Sequence, residues 1–326
     1  MRHKKRIALL CAAAMLLSGC LKLPGEKDLT YSDTLFDTVI RVQILDPAEP
    51  EVIDGVKKLC KYYDTLFSKT SEESDIYRIN TAAGAPVEVS QDTLTLLKKG
   101  IYYGDLSNGL FDITVGSVSN IWDFKAETPA VPAPETAASA VSHVGYKNII
   151  IEENTVRLLD PYTLIDVGAI AKGYIADRIR DYLKENDVKH AVIDLGGNIL
   201  VLGTKTDGSK YNIGIQKPFD ETGNPITSVK IENQSVVTTG IYQRYFEIDG
   251  KIYHHVLNPH TGFPCENNLY SVTIITDSSL TADALSTVCY LLGYEKGMKL
   301  VNQLDNVDAI FITNDEVLHY SDNFLK

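Results

Sequence analysis

The stretch from His254 to Gly293, HHVLNPHTGFPCENNLYSVTIITDSSLTADALSTVCYLLG, constrains the fold of this chain more than any other. It opens on a paired histidine and runs into the turn dipeptides Asn258-Pro259 and Thr261-Gly262. Tyr270 to Thr276 alternates β-branched and polar residues, the pattern of a strand. Asp277-Ser278-Ser279 can cap a helix, and Leu280 to Leu292 repeats Leu, Ala and Val at helical spacing. Asp283 and Thr287, four residues apart, share one face of that helix. Ala282, Ala284, Leu285 and Val288 flank them, so the face is close-packed, and an unpaired carboxylate there costs several kcal/mol or more. A hard cation bound by Asp283 and Thr287 would supply a partner. Helix-dipole complementarity for the aspartate and a backward hydrogen bond for the threonine would fit the same pattern, and this stretch alone leaves both open.

Met1 to Cys20 reads as an address. A basic start, Arg2 to Arg6, precedes an apolar run, Ile7 to Leu17, too short to span a bilayer. It ends in Leu17-Ser18-Gly19-Cys20, the small-residue pattern before a cysteine that marks bacterial lipoproteins. The expectation is a signal peptide over 1–19, an acylated Cys20, a tether over 20–30 and one domain over 31–326. The domain would sit on the extracytoplasmic face of the cell membrane, held by the lipid alone.

A composition 44% apolar and 23% charged is that of a soluble globular chain with ample core. The net charge of −12 becomes more negative once Arg2, Lys4, Lys5 and Arg6 leave with the leader. Nucleic acid is therefore excluded as a partner, and any phosphate ligand needs a local cation or a helix N-terminus. After loss of Cys11 and acylation of Cys20, Cys60, Cys265 and Cys289 remain, an odd set with neither disulfide nor zinc spacing.

Along the chain, Thr34–Leu45 has the alternation of a strand, and Pro50–Phe67 and Asp92–Asn108 have helical spacing. Ser68–Asn80 reads as a polar surface loop that starts a short helix. Gly109–Phe124, GLFDITVGSVSNIWDF, is too apolar for an ordinary loop and suits either core or the wall of a flat-ring pocket. Leu164–Leu183 is a strand end that breaks at Gly168 into a helix, an arrangement that binds phosphate through free backbone N–H groups. It is not a Walker A loop, and Gly196-Gly197 does not make GxGxxG. Thr238-Thr239-Gly240 reads as a polar turn. A hairpin around Asp249-Gly250 then delivers His254 and His255 to opposite faces, with His254 the structural one. No internal repeat or domain break is visible.

Five stretches together resemble the ApbE family of flavin transferases (FAD:protein FMN transferases). They are FDITVGSVSNIWDF, IDVGAIAKGYIAD, IDLGGNILVLG, TTGIYQRYFEIDGKIYHHVLNPHTGFP and TADALST, in the family's order across most of the mature chain. The resemblance implies an α+β fold, one domain of twisted, mainly antiparallel sheets packed with helices. It implies FAD as substrate, Mg²⁺ as cofactor, and transfer of FMN to a Thr or Ser hydroxyl of an acceptor redox protein with release of AMP. Asp283 and Thr287 fall on the family's magnesium ligands, with the Ala169 carbonyl as a third. Phe36, Phe111, Asp112, Thr114, Asp166, Lys172 and Leu257 fall on positions lining FAD, and His255 on the catalytic histidine. Phe36-Asp37-Thr38 stands where Met-Gly-Thr is common, Asn258 where aspartate is usual, Ile241 where a polar residue is commoner, and Ser117 where proline is usual. These departures bear on pocket shape. An FAD pyrophosphatase and a non-enzymatic flavin-binding surface lipoprotein are the rival functions for the same residues.

Overall fold

The computed structural model describes residues 29–220, 222–322 and 324. The leader, Cys20 and most of the tether lie outside the described residues. An eight-stranded sheet organises the rest: β1 (Leu29–Leu35), β2 (Thr38–Ile44), β3 (Ala191–Leu195), β4 (Ile199–Leu202), β5 (Ser235–Gly240), β6 (Leu269–Thr276), β7 (Asp308–Thr313) and β8 (Leu318–Tyr320). They lie side by side in chain order, each antiparallel to its neighbours.

Period-two alternation decides what each face meets. Ala191, Ile193 and Leu195 enter the main core, whereas Val192, between the first two, enters a second core on the opposite face. The main core is filled by α1 (Pro50–Leu66), α2 (Gln91–Leu106), α3 (Ala171–Glu185) and α4 (Ser279–Leu292), with Ile76, Ile79 and Val301 added by two shorter helices. The second face is covered by the hairpin Tyr211–Gln216/Pro225–Ile231, in which Tyr211, Ile213 and Ile215 are buried and the residues between them exposed.

The helix α4 is apolar around most of its circumference because it is enclosed, packing on β5, β6, α3 and the helix Tyr294–Val301. Its N-terminal N–H groups are satisfied by Ser278 Oγ, which accepts from Thr281, and by the Asp177 carboxylate, which accepts from Ser279 and Leu280 at 2.9 and 3.1 Å. Where α3 crosses it, only glycine fits. A Cβ on Gly173 would stand 2.3 Å from the Ser279 carbonyl oxygen and 2.7 Å from Asp283 Cβ. Gly173→Ala is therefore expected to cost about 1–3 kcal/mol by pushing the helices apart, read as a lower urea midpoint with unchanged slope.

Three expectations change. Thr34–Leu45 is not one strand: the chain reverses at Phe36 and Asp37, both left-handed with φ of 54° and 61°, so β1 also takes in Leu29 and Thr30 from the expected tether. Such hairpins normally announce themselves with Asn-Gly, and Phe-Asp does not. Thr238–Gly240 is the end of β5 rather than a turn, with Thr239 paired to Val272. Threonine suits a strand as well as a turn. Before Gly168 there is no strand, only a bridge between Leu164 and Val115.

Candidate active site

The α3–α4 crossing brings the central acid into place. Asp283 is buried, and its Oδ2 accepts the Gly173 N–H at 2.8 Å. Burial pushes its pKa up, against the charge of Lys172 and the Gly173 N–H. One turn on, the Thr287 hydroxyl lies 3.0 Å from that of Thr239 on β5, which also lies 2.8 Å from Ser286 Oγ. Asn198, from the turn between β3 and β4, accepts the Ser279 hydroxyl at 2.6 Å, and its side-chain amide works to lower the proton affinity of Asp283. Ala169 sits half-buried in the turn just before α3.

A second carboxylate opens the same turn. Asp166 Oδ1 accepts the Gly168 N–H at 3.0 Å, and its Oδ2 meets Lys69 Nζ at 2.6 Å and Ser119 Oγ at 2.9 Å. Burial works to raise its pKa, but the Lys69 ammonium and these donors outweigh it and hold the group below the usual carboxylate range. Lys172 Nζ donates to the Gly168 carbonyl at 3.2 Å and is felt electrostatically by both Asp283 and His255. Asp166, Gly168, Lys172 and Asp283 are thus joined through the turn into α3, and His255 feels the Lys172 charge.

His255 follows the hairpin Tyr245–Ile248/Lys251–His254. Its Nδ1 lies 3.2 Å from the Arg244 carbonyl, which also accepts the His255 backbone N–H at 3.1 Å. A carbonyl only accepts, so Nδ1 carries the proton and Nε2 is the basic nitrogen. Burial, then the Arg244 charge, with His254 and Lys172 beyond, push its pKa down to about 3. At neutral pH the ring is an uncharged imidazole.

His254 turns the other way. It is 6% exposed, meets the Tyr290 ring edge-on at 5.9 Å, and its Nδ1 has no partner. Burial pushes its pKa down to about 4. In the unfolded chain it takes a proton near ~6.5, so stability should fall as pH drops from that value to about 4, by roughly 3 kcal/mol in all. His254→Phe should flatten that slope in urea titrations between pH 7 and 4.

The segment Gly109–Phe124 divides between the two roles expected of it. Phe111 is buried in the main core, edge-on to Tyr103. Asp112 accepts N–H groups from Thr114 at 2.8 Å and Tyr146 at 2.9 Å, and Thr114 Oγ1 accepts from Gly145 at 2.7 Å. Their side chains therefore tie the segment to the loop at 145–146. The segment reaches Asp166 through the Ile113 carbonyl, which accepts the Asp166 N–H at 2.7 Å, and through the Ser119 hydroxyl on the Asp166 carboxylate. Trp122 and Phe124 stack at 5.6 Å and join Phe246, Tyr253 and Leu257 in a small aromatic core, which Trp122 Nε1 links to the Gly262 carbonyl at 2.8 Å. Phe36, half-buried in the β1–β2 turn, donates its N–H to Asp64 at 2.8 Å.

Sequence reasoning did not single out Lys69, Ser119, Asn198, Thr239 or Arg244. Lys69 and Asp166 stand 97 residues apart, and no local pattern encodes such a pair. A cavity of about 460 Å³, bordered by Asp277, Asn302, Asp305 and Ser321, includes none of the site residues.

The ApbE family model matches residues 36–311, a span that contains every site residue described above. The chain belongs to the ApbE family. Among ApbE relatives, a FAD:protein FMN transferase of Klebsiella pneumoniae is 37% identical over 289 residues, 88% of this chain and 89% of that protein. That of Treponema pallidum is 31% identical over 331 residues, 95% of this chain and 91% of its own. The ApbE protein of Thermotoga maritima superposes with a TM-score of 0.83 at 30% identity, covering 91% of this chain and 98% of that one. The flavin transferase ApbE of Vibrio cholerae gives 0.81 at 26% identity with the same coverage. The α+β architecture of antiparallel sheet and helices is thus the ApbE fold.

Proposed function

We propose that this ApbE protein is a FAD:protein FMN transferase that moves FMN from FAD to a Thr or Ser hydroxyl of an extracytoplasmic redox protein, releasing AMP. The carrying observation is that Lys172, at the turn before α3, acts electrostatically on both the buried Asp283 and an uncharged His255 whose basic nitrogen is Nε2. Membership of the ApbE family and the names of the relatives support the same reading.

Among the described residues, no three His, Cys, Asp or Glu side chains converge. In place of such a cluster, Asp283 is a carboxylate with raised proton affinity, the Thr287 hydroxyl lies one turn on, and the family resemblance adds the Ala169 carbonyl as a third donor. They are oxygens only and fit a hard cation. Asp283, Thr287 and Ala169 would hold Mg²⁺, which when bound supplies charge neutralisation at the dinucleotide's two phosphates. In the turn from Gly168 into α3 the N–H groups of Gly168, Ile170, Ala171 and Gly173 are taken by protein acceptors, so the contact with phosphate there would fall chiefly to Lys172, whose Nζ lies over the Gly168 carbonyl. His255 Nε2 accepts the proton of the acceptor hydroxyl as its oxygen bonds to the FMN phosphorus. The bond from that phosphorus to the AMP oxygen breaks, and AMP leaves with the electron pair.

A lipid on Cys20 would hold the domain beside membrane-attached acceptors. The decisive experiment is mass spectrometry of an extracytoplasmic redox protein carrying a Thr or Ser in a small-residue loop, incubated with this protein, FAD and Mg²⁺. Gain of covalent FMN on that residue is the expected result. Free FMN and AMP alone would make the protein a pyrophosphatase, and FAD that stays intact would make it a carrier.

A further inference from the structure

An exposed arginine is ordinarily a solvated surface group, and three observations set Arg244 apart. It has no carboxylate partner among the described residues, although the chain carries −12 and the nearby Lys69 and Lys125 are ion-paired to Asp166 and Asp37 at 2.6 and 3.2 Å. Its own carbonyl anchors the His255 ring, so the residue cannot drift from the proposed base. Its guanidinium lies over the strained Phe36–Asp37 turn, where Nη2 makes a single 3.4 Å hydrogen bond to the Asp37 carbonyl. A guanidinium has five N–H donors in a planar fork, so most of this one's donors face no protein acceptor.

We infer that Arg244 is a substrate-contacting residue whose guanidinium binds the diphosphate of the flavin dinucleotide beside His255. The inference deepens the flavin-transferase reading and rests on it. The planar fork of an arginine matches two phosphate oxygens at once, which the point charge of a lysine does not. The field of Arg244 already reaches the His255 ring, which helps to keep that ring uncharged.

The test is titration of FAD against the full folded protein with Mg²⁺ present, followed by flavin fluorescence, for the wild type, Arg244→Ala and Arg244→Lys. Arg244→Ala should weaken FAD binding about tenfold or more, with Arg244→Lys in between. Low-millimolar guanidinium chloride should restore part of the loss in Arg244→Ala, and sodium chloride at equal ionic strength should not. Melting temperatures should stay together, because the side chain is exposed and makes one long hydrogen bond. Affinity within twofold of wild type in Arg244→Ala would overturn the inference. So would a loss that guanidinium leaves uncorrected, since that is the mark of a structural role. A wild type that fails to bind FAD would instead bring down the flavin reading itself.

Discussion

Asp283→Ala should cut flavin transfer about a thousandfold, because a bound metal contributes several kcal/mol to phosphoryl transfer and each ~1.4 kcal/mol is a factor of ten. The same change should leave the metal-free fold intact or firmer. Asp283 is a buried carboxylate whose folded pKa lies above the usual 3.8. Above that value the unfolded chain releases the proton more readily than the folded one, so this group lowers stability as pH rises into the neutral range. Asp283→Asn retains an acceptor for the Gly173 N–H and removes only the charge, which separates the two effects. In calorimetry, Mg²⁺ at a hundredfold excess over its dissociation constant should stabilise the wild type by about 2.7 kcal/mol and the Asn variant not at all. A variant that still melts higher with Mg²⁺ would remove Asp283 from the metal site.

His255→Gly should lower kcat about 10²–10⁴-fold at saturating FAD, the range for loss of a general base, with little change in FAD affinity. Near-normal turnover would restrict the ring to positioning. The pH dependence is the sharper probe. A base works only above its pKa, and His255 is pushed down to about 3 by burial and by Arg244. The acid limb of kcat/KM for the free enzyme should therefore fall below pH 5, with no inflection near the ordinary histidine value of ~6.5. An inflection at that ordinary value would mean that the ring is better solvated than its surroundings in the fold imply.

These two residues also mark what was legible in advance. Asp283 and Thr287 were visible as a pair because helical periodicity alone sets i and i+4 on one face, and Ser278 before them capped the helix as its residue type predicts. His254 and His255 were separable because strand alternation sends neighbours to opposite sides; one is buried against Tyr290 and the other reaches the Arg244 carbonyl. The β1–β2 reversal is not legible in the sequence because Phe36 adopts a left-handed conformation that an aromatic residue does not favour, so only the pairing of the flanking strands reveals it.

The sequence by itself determined the main helices, the strand Tyr270–Thr276 and the candidate pair on α4, because periodicity and capping act over a few residues. Only the tertiary structure decided that Lys69 neutralises Asp166, that Gly173 lets α3 close on Asp283, and that Arg244 stands beside His255 with no carboxylate partner among the described residues. Those relations join positions far apart in the chain, and they exist only where packing of the sheet against its helices forces distant backbones together.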